Sequence, residues 1–168
     1  GATLALLFMI KYPDKVISFI ITGFTLLKET LFTNRLQSQF PEDWNQFMKL
    51  GYPKDLKKTI NKYFQKIKEG HPKYIQEWTE IETKHLTVST PMNTSFESDK
   101  DKRIAALIES YYFKHNFFLP NNYIQNNLNK CKKIPGVIIH GHEDVICNPD
   151  DSKIIQKKLP RSVLRIIN

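Results

Sequence analysis

At 168 residues, with 40% hydrophobic and 12% aromatic content, the chain is long enough for one packed domain and too apolar for a disordered tail. Its net charge of +8 is nearly all lysine; Arg35, Arg103, Arg161 and Arg165 are the only arginines, so bidentate readout of phosphates or bases is poorly supplied and nucleic acid is not the expected partner. No apolar run approaches the roughly 18 residues that cross a bilayer, so no membrane partner is expected either. Cys131 and Cys147 lack any framework spacing, which implies free thiols in a reducing, cytoplasmic setting.

The opening GATLALLFMIKYPDKV predicts a helix over 2–12, with Leu4, Leu7, Phe8 and Lys11 at three- and four-residue intervals and Pro13 as its stop. It lacks the basic segment of a signal peptide, so no export is expected. The run VISFIITGF, rich in β-branched and aromatic residues, predicts a buried strand over 16–22 that ends at Gly23.

From about Leu26 to Phe118 the chain reads as helical and polar. Leu56, Ile60, Tyr63, Phe64 and Ile67 make one apolar face, opposite Lys57, Lys58, Lys62, Lys66 and Lys68, and Gly70-His71-Pro72 ends the run. A second helix is predicted from Pro72 and carries Ile75, Trp78, Ile81 and Glu82. The polar stretch 87–102 reads as a loop, and a third helix carries Ile104, Leu107, Ile108, Tyr111 and Tyr112.

The last stretch predicts a short helix over 121–130, a buried strand over 134–141, a helix over 150–160 and a strand over 162–168. Strand, helix and strand with short links predict a parallel sheet. The expected organisation is an α/β core built from both ends of the chain, 1–27 and 119–168, with an all-helical cap inserted over 28–118.

Functional residues of open parallel sheets collect beyond the carboxyl ends of the strands, and here that place is taken by HGHEDVICNP. An aspartate in that loop, Asp144, can orient a histidine and stabilise its imidazolium; it can equally cap the next helix. His140, His142 and Asp144 alternate and would share a face if the strand ran through them, but Gly141 argues against that, and no metal site is expected. Glu82 follows Trp78 by four residues and continues an apolar face, while Glu109 sits inside IAALIESYY with Ala105 and Tyr112 on its side. Each reads as a boundary residue with a packed stem or as a buried carboxylate with a cation to meet.

In order, these segments resemble the prolyl iminopeptidases of the α/β-hydrolase fold. The opening is similar to the helix after the nucleophile, G-G-S-W-G-x-T-L-A-L-x-Y-x-x-x-x-P-x-x-V, with matches at Gly1, Thr3, Leu4, Ala5, Leu6, Pro13 and Val16. GFTLLK, FPEDW, the Trp78 to Glu82 segment, IESYYFKHNFF and IPGVIIHGHEDVICNP agree in the same order, so the resemblance spans essentially the whole chain. Lys84 stands where the family commonly has a second glutamate.

The resemblance implies a partial α/β-hydrolase fold carrying the second half of the sheet and the helical cap. It implies a serine aminopeptidase that releases N-terminal proline from peptides through a Ser-His-Asp triad, without metal or organic cofactor. Asp144 would be the acid, while the serine would precede Gly1 and the histidine would follow the last strand. Glu82 and Glu109 would be the two lid glutamates that meet the protonated imino terminus of the substrate. The chain is thus expected to be an internal fragment, inactive alone. The competing expectations are another cap-bearing α/β-hydrolase acting on a different amide or ester, and a non-catalytic truncated product.

Overall fold

The computed structural model describes residues 1–27, 37–38, 40–86, 98–144 and 147–168, with the backbone alone over 82–86. Among these residues the fold is α/β, with one three-stranded parallel sheet and seven α-helices. The chain divides into two compact units, one formed by Gly1–Leu31 with Pro120–Asn168 and the other by Phe32–Leu119.

The first unit contains α1 (Ala2–Lys11), β1 (Phe19–Thr22), α6 (Tyr123–Asn127), β2 (Gly136–Gly141), α7 (Pro149–Lys158) and β3 (Ser162–Ile167). The strands lie in the order β1-β2-β3, with Ile21 beside Ile138 and Ile138 beside Leu164. The β2-α7-β3 crossover gives the parallel pairing that short links after Gly141 and Leu159 had suggested. Leu6, Met9 and Ile10 of α1, Phe19 and Ile21, Ile138, and Ile155 of α7 share one core with Ile124, Leu128 and Cys131. Gly136 is required there: a Cβ on it would stand 2.5 Å from the Phe19 ring, so only glycine lets β1 and β2 pair with that ring on the core face.

β1 is shorter than the expected 16–22, because pairing begins only where the Phe19 N–H reaches the Pro135 carbonyl at 3.1 Å; 16–18 lie between the strand and a 3₁₀ turn over Pro13–Lys15. The expected burial of β1 is also corrected. Ile20 is 73% exposed, and Val163, in register with it across β2, is 56% exposed, so the described residues cover only the face that carries Ile21, Ile138 and His140.

The second unit contains α2 (Pro41–Leu50), α3 (Leu56–Lys68), α4 (Pro72–Leu86) and α5 (Asp99–Lys114). Helix α2 begins at Pro41 with Glu42 and Asp43 in its first turn, where carboxylates complement the helix dipole. Its Phe47 ring stacks on Tyr63 of α3 at 4.3 Å, and Trp44, Trp78 and Ala106 close the same core. Asp55 caps α3 by accepting from the Lys58 N–H at 2.9 Å. At its other end Gly70 takes φ +83°, the His71 N–H bonds back to the Lys66 carbonyl, and Arg103 donates to the Lys68 carbonyl.

Helix α5 starts earlier than expected. Ser98 caps it, accepting from the Asp101 N–H at 3.2 Å, so 99–102 belong to the helix rather than to the loop; the rest of that loop before Ser98 lies outside the described residues. Its expected apolar face is met only in part: Leu107 packs against the core, but Ile104, Ile108, Tyr111 and Tyr112 are exposed, whereas Ala106 and Ser110 are fully buried. Small side chains let the backbone of α5 come close to its neighbours, and the larger residues flank that line.

Candidate functional site

The carboxyl end of β2 gathers the buried polar groups of the first unit. After Gly141 the chain turns, with the Asp144 N–H bonding to the Gly141 carbonyl at 3.4 Å. Asp144 is 26% exposed. Its Oδ1 accepts from the Cys147 N–H at 2.7 Å, and its Oδ2 stands 3.3 Å from Nε2 of His140. A Cβ on Gly23, just past β1, would lie 3.9 Å from that same Oδ2, so Asp144 stands where the ends of β1 and β2 meet. Asp144 is therefore a turn-former but not the cap of the next helix, which is Asn148, and it is an oriented, reachable carboxylate as well.

His140 is 1% exposed and each ring nitrogen has a partner. Nδ1 meets the Ser152 hydroxyl at 2.5 Å, and Nε2 also meets the Cys147 carbonyl at 2.8 Å. Burial by itself pushes this imidazole down; the hydrogen bond to Asp144, the Cys147 carbonyl and the charges of Asp144 and Asp151 outweigh it and hold the pKa above the usual histidine range. Phe24 packs edge-on against the ring at 5.6 Å.

The first turn of α7 supports this arrangement from below. Asn148 caps the helix by accepting from the Asp150 N–H, and the next two residues turn inward. Asp151 accepts from the Leu26 N–H at 3.2 Å, while Ser152 reaches His140. Thr3 of α1 holds the same post-β1 segment from the other side, accepting from the Thr25 N–H and donating to the Thr25 carbonyl.

The two expected glutamates fall in the second unit. Glu109 lies on α5, half-buried, and its Oε2 accepts from the indole N–H of Trp78 at 3.0 Å. Tyr112, expected on its side of the helix, is exposed. Glu82 lies on α4, and its side chain is outside the described residues. His142 is exposed while His140 is buried, so the alternating trio does not converge, and among the described residues no His, Cys, Asp or Glu group could hold a metal ion.

The buried role of His140 and the residue Glu77 escape the sequence reading. His140 shares the inward face of β2 with Ile138 two residues earlier, and that period-2 placement was the available signal: an imidazole on a core face needs polar partners. Glu77 is buried on α4 and accepts from the Gln46 amide at 2.6 Å; its spacing of four from Ile81 places it on the apolar stripe, as the spacing of Glu82 from Trp78 does for that residue.

No protein-family model matches the chain. It is similar over 99% of its length to curated proteins named proline iminopeptidase: one from Arabidopsis thaliana at 26% identity and one from Xylella fastidiosa at 25%. A third, from Leptolyngbya boryana and named "Probable proline iminopeptidase", is 27% identical over 99% of the chain. These matches take in 47%, 56% and 56% of the three relatives, so the chain spans about half the length of the curated relatives it matches.

Proposed function

We propose that this chain is part of a cap-bearing α/β-hydrolase that releases N-terminal proline from peptides. The observation that carries the reading is Asp144, a reachable carboxylate fixed at the carboxyl end of a parallel strand, in a chain matched end to end by proline iminopeptidases. In this reading the first unit is the second half of a hydrolase core, the helical unit is its cap, and the serine and histidine come from the part of a longer protein that the relatives have in addition.

Asp144 then serves as the acid of a Ser-His-Asp triad. It accepts from Nδ1–H of the catalytic histidine, which fixes the tautomer whose Nε2 takes the serine proton as the hydroxyl attacks the scissile carbonyl. That proton passes to the departing amine, and water, deprotonated by the same imidazole, releases proline from the acyl-enzyme. None of these steps needs a metal or an organic cofactor. Glu109, and Glu82 with it, would meet the protonated imino terminus; a substrate lacking that cation leaves their charge without its counter-ion and is disfavoured. The Trp78 indole supports this role for Glu109 by holding one carboxylate oxygen in place. The buried Cys131, a thiol in no disulfide, agrees with a reducing, cytoplasmic setting.

The test uses the longer protein that contains this chain and measures proline release from a proline arylamide beside hydrolysis of an uncharged activated ester. Asp144→Asn should retain the fold and lower kcat by on the order of 10³–10⁴-fold. Glu109→Gln should lower kcat/KM for the arylamide and leave the ester nearly unchanged. Ester hydrolysis without proline release would assign the protein to another hydrolase activity, and a loss below about tenfold in Asp144→Asn would return Asp144 to the role of a turn residue.

A further inference from the structure

Nothing in the triad chemistry uses the imidazole of His140, yet it occupies a core position on β2 with every polar atom engaged. An apolar side chain would fill that position without the desolvation a titratable ring incurs, so the ring's contacts must offset the burial. We infer that His140 is a positioning residue for Asp144: its Nε2–H is shared by the Cys147 carbonyl and the Asp144 carboxylate, and it sets where that carboxylate stands at the end of β2. The catalytic consequence rests on the reading of Asp144 as the triad acid; the geometry does not.

The proton assignment follows from the partners. Nε2 faces two acceptors, the Cys147 carbonyl at 2.8 Å and Asp144 Oδ2 at 3.3 Å, so it carries a hydrogen in either charge state of the ring. Nδ1 meets Ser152 Oγ, which can donate to the neutral ring or accept from the cation, so the ring stays anchored to α7 throughout its titration. Phe24 closes the side towards the end of β1, and Ile166 is the register partner on β3.

Cys147 is gripped twice: its N–H donates to Asp144 Oδ1, and its carbonyl receives the His140 proton. Histidine, peptide and carboxylate thus form a closed ring of contacts, and moving any one of them moves Asp144. Among the described residues, the charged groups acting on the imidazole are Asp144 from the loop after β2 and Asp151 from the first turn of α7; Phe24 and Ile166 bring none.

The experiment again uses the longer protein, with Asp144→Asn, His140→Gln and His140→Leu. Ring NMR should find His140 protonated on Nε2 at every pH, and its pKa should fall in Asp144→Asn while the other histidines stay put. His140→Gln, whose amide N–H can still reach the carboxylate, should keep kcat within about tenfold, whereas His140→Leu should lose up to about a hundredfold in kcat with KM little changed. An unmoved His140 pKa in Asp144→Asn, or wild-type kcat in His140→Leu, overturns the proposal. Should His140→Leu not fold, His140→Gln decides together with the titration: a kcat as low as that of Asp144→Asn overturns it too. A wild-type protein that hydrolyses no peptide while His140 still responds to Asp144→Asn would overturn the peptidase reading and leave the tie between the two residues standing.

Discussion

The two units bury polar groups in opposite ways. The first joins residues far apart in the chain through polar ties: the Leu26 N–H to the Asp151 carboxylate across 125 positions, and Thr3 to Thr25 across 22. The second is a run of consecutive helices around stacked rings, Phe47 on Tyr63 and both beside Trp78, with polar groups such as Glu77 and Glu109 attached to that core. Ring area and dispersion therefore carry the helical unit, whereas the sheet unit also depends on the geometry of individual hydrogen bonds. A carboxylate that must stand at one point is better held by the polar ties of the sheet unit, and Asp144 is found there.

Large substitutions should separate these regimes. Phe47→Ala removes a ring in contact with Trp44, Tyr63 and Trp78 and should destabilise the helical unit by about 3–5 kcal/mol, read by hydrogen exchange of α3 amides or by urea melts. A change below about 1 kcal/mol would mean that the rings are not what holds this unit together. In the sheet unit, Gly136→Ala drives a methyl into the Phe19 ring and should destabilise by about 1–3 kcal/mol, with partial recovery when Phe19→Leu is added. Asp151→Ala leaves the buried Leu26 N–H without its carboxylate, also about 1–3 kcal/mol, and should loosen 24–27 ahead of β2 in hydrogen exchange. Equal loosening of 24–27 and β2 would show that the polar tie has no local role.

The sheet unit was legible where pattern and chemistry coincide. The apolar runs around Ile21 and Ile138, the crossover helix, and the loop bearing Asp144 after Gly141 all follow from period and punctuation. What escaped depends on neighbours that local pattern does not contain. The start of β1 is decided by the Pro135 carbonyl on another strand, and the packed face of α5 by Ala106 and Ser110, which no hydrophobic count selects. α2 was merged into a general helical reading because PEDWNQFMKL is short and polar, although its proline and acidic first turn mark a helix start. After α5, Asn116, Phe117 and Phe118 take φ of 48°, 53° and 58°, a left-handed turn unusual for phenylalanine; the edge-on contact of Phe117 with Phe113 and the stacking of Phe118 on His115 offset its strain. Nothing in the sequence pattern announces that turn.

The smallest effects are electrostatic, and they have opposite signs in the two units. Each has a histidine beside a carboxylate: His140 with Asp144, the ring buried, and His71 with Glu69, at 3.1 Å and exposed. Although burial alone would lower it, the Asp144 hydrogen bond leaves the His140 pKa raised above the ordinary value of about 6.5. A group that holds its proton more tightly when folded contributes its stability in full below the unfolded value and loses it as pH rises through the folded one. The sheet unit should therefore weaken as pH rises from about 6.5, and Asp144→Asn should flatten that slope. Glu69 behaves in the reverse sense: hydrogen bonds from Lys66 and then Gln65 hold its carboxyl down to about 2. Its contribution is present above the unfolded value of about 4.3 and is lost as pH falls towards 2. Because Glu69 is exposed, salt screens the effect, and Glu69→Gln should move the helical unit's melting less than Asp144→Asn moves the sheet unit's. A slope above pH 6.5 that survives Asp144→Asn would assign it to another group and remove the evidence that His140 and Asp144 are coupled; an acid-side loss indifferent to both Glu69→Gln and added salt would do the same for the Lys66 pair.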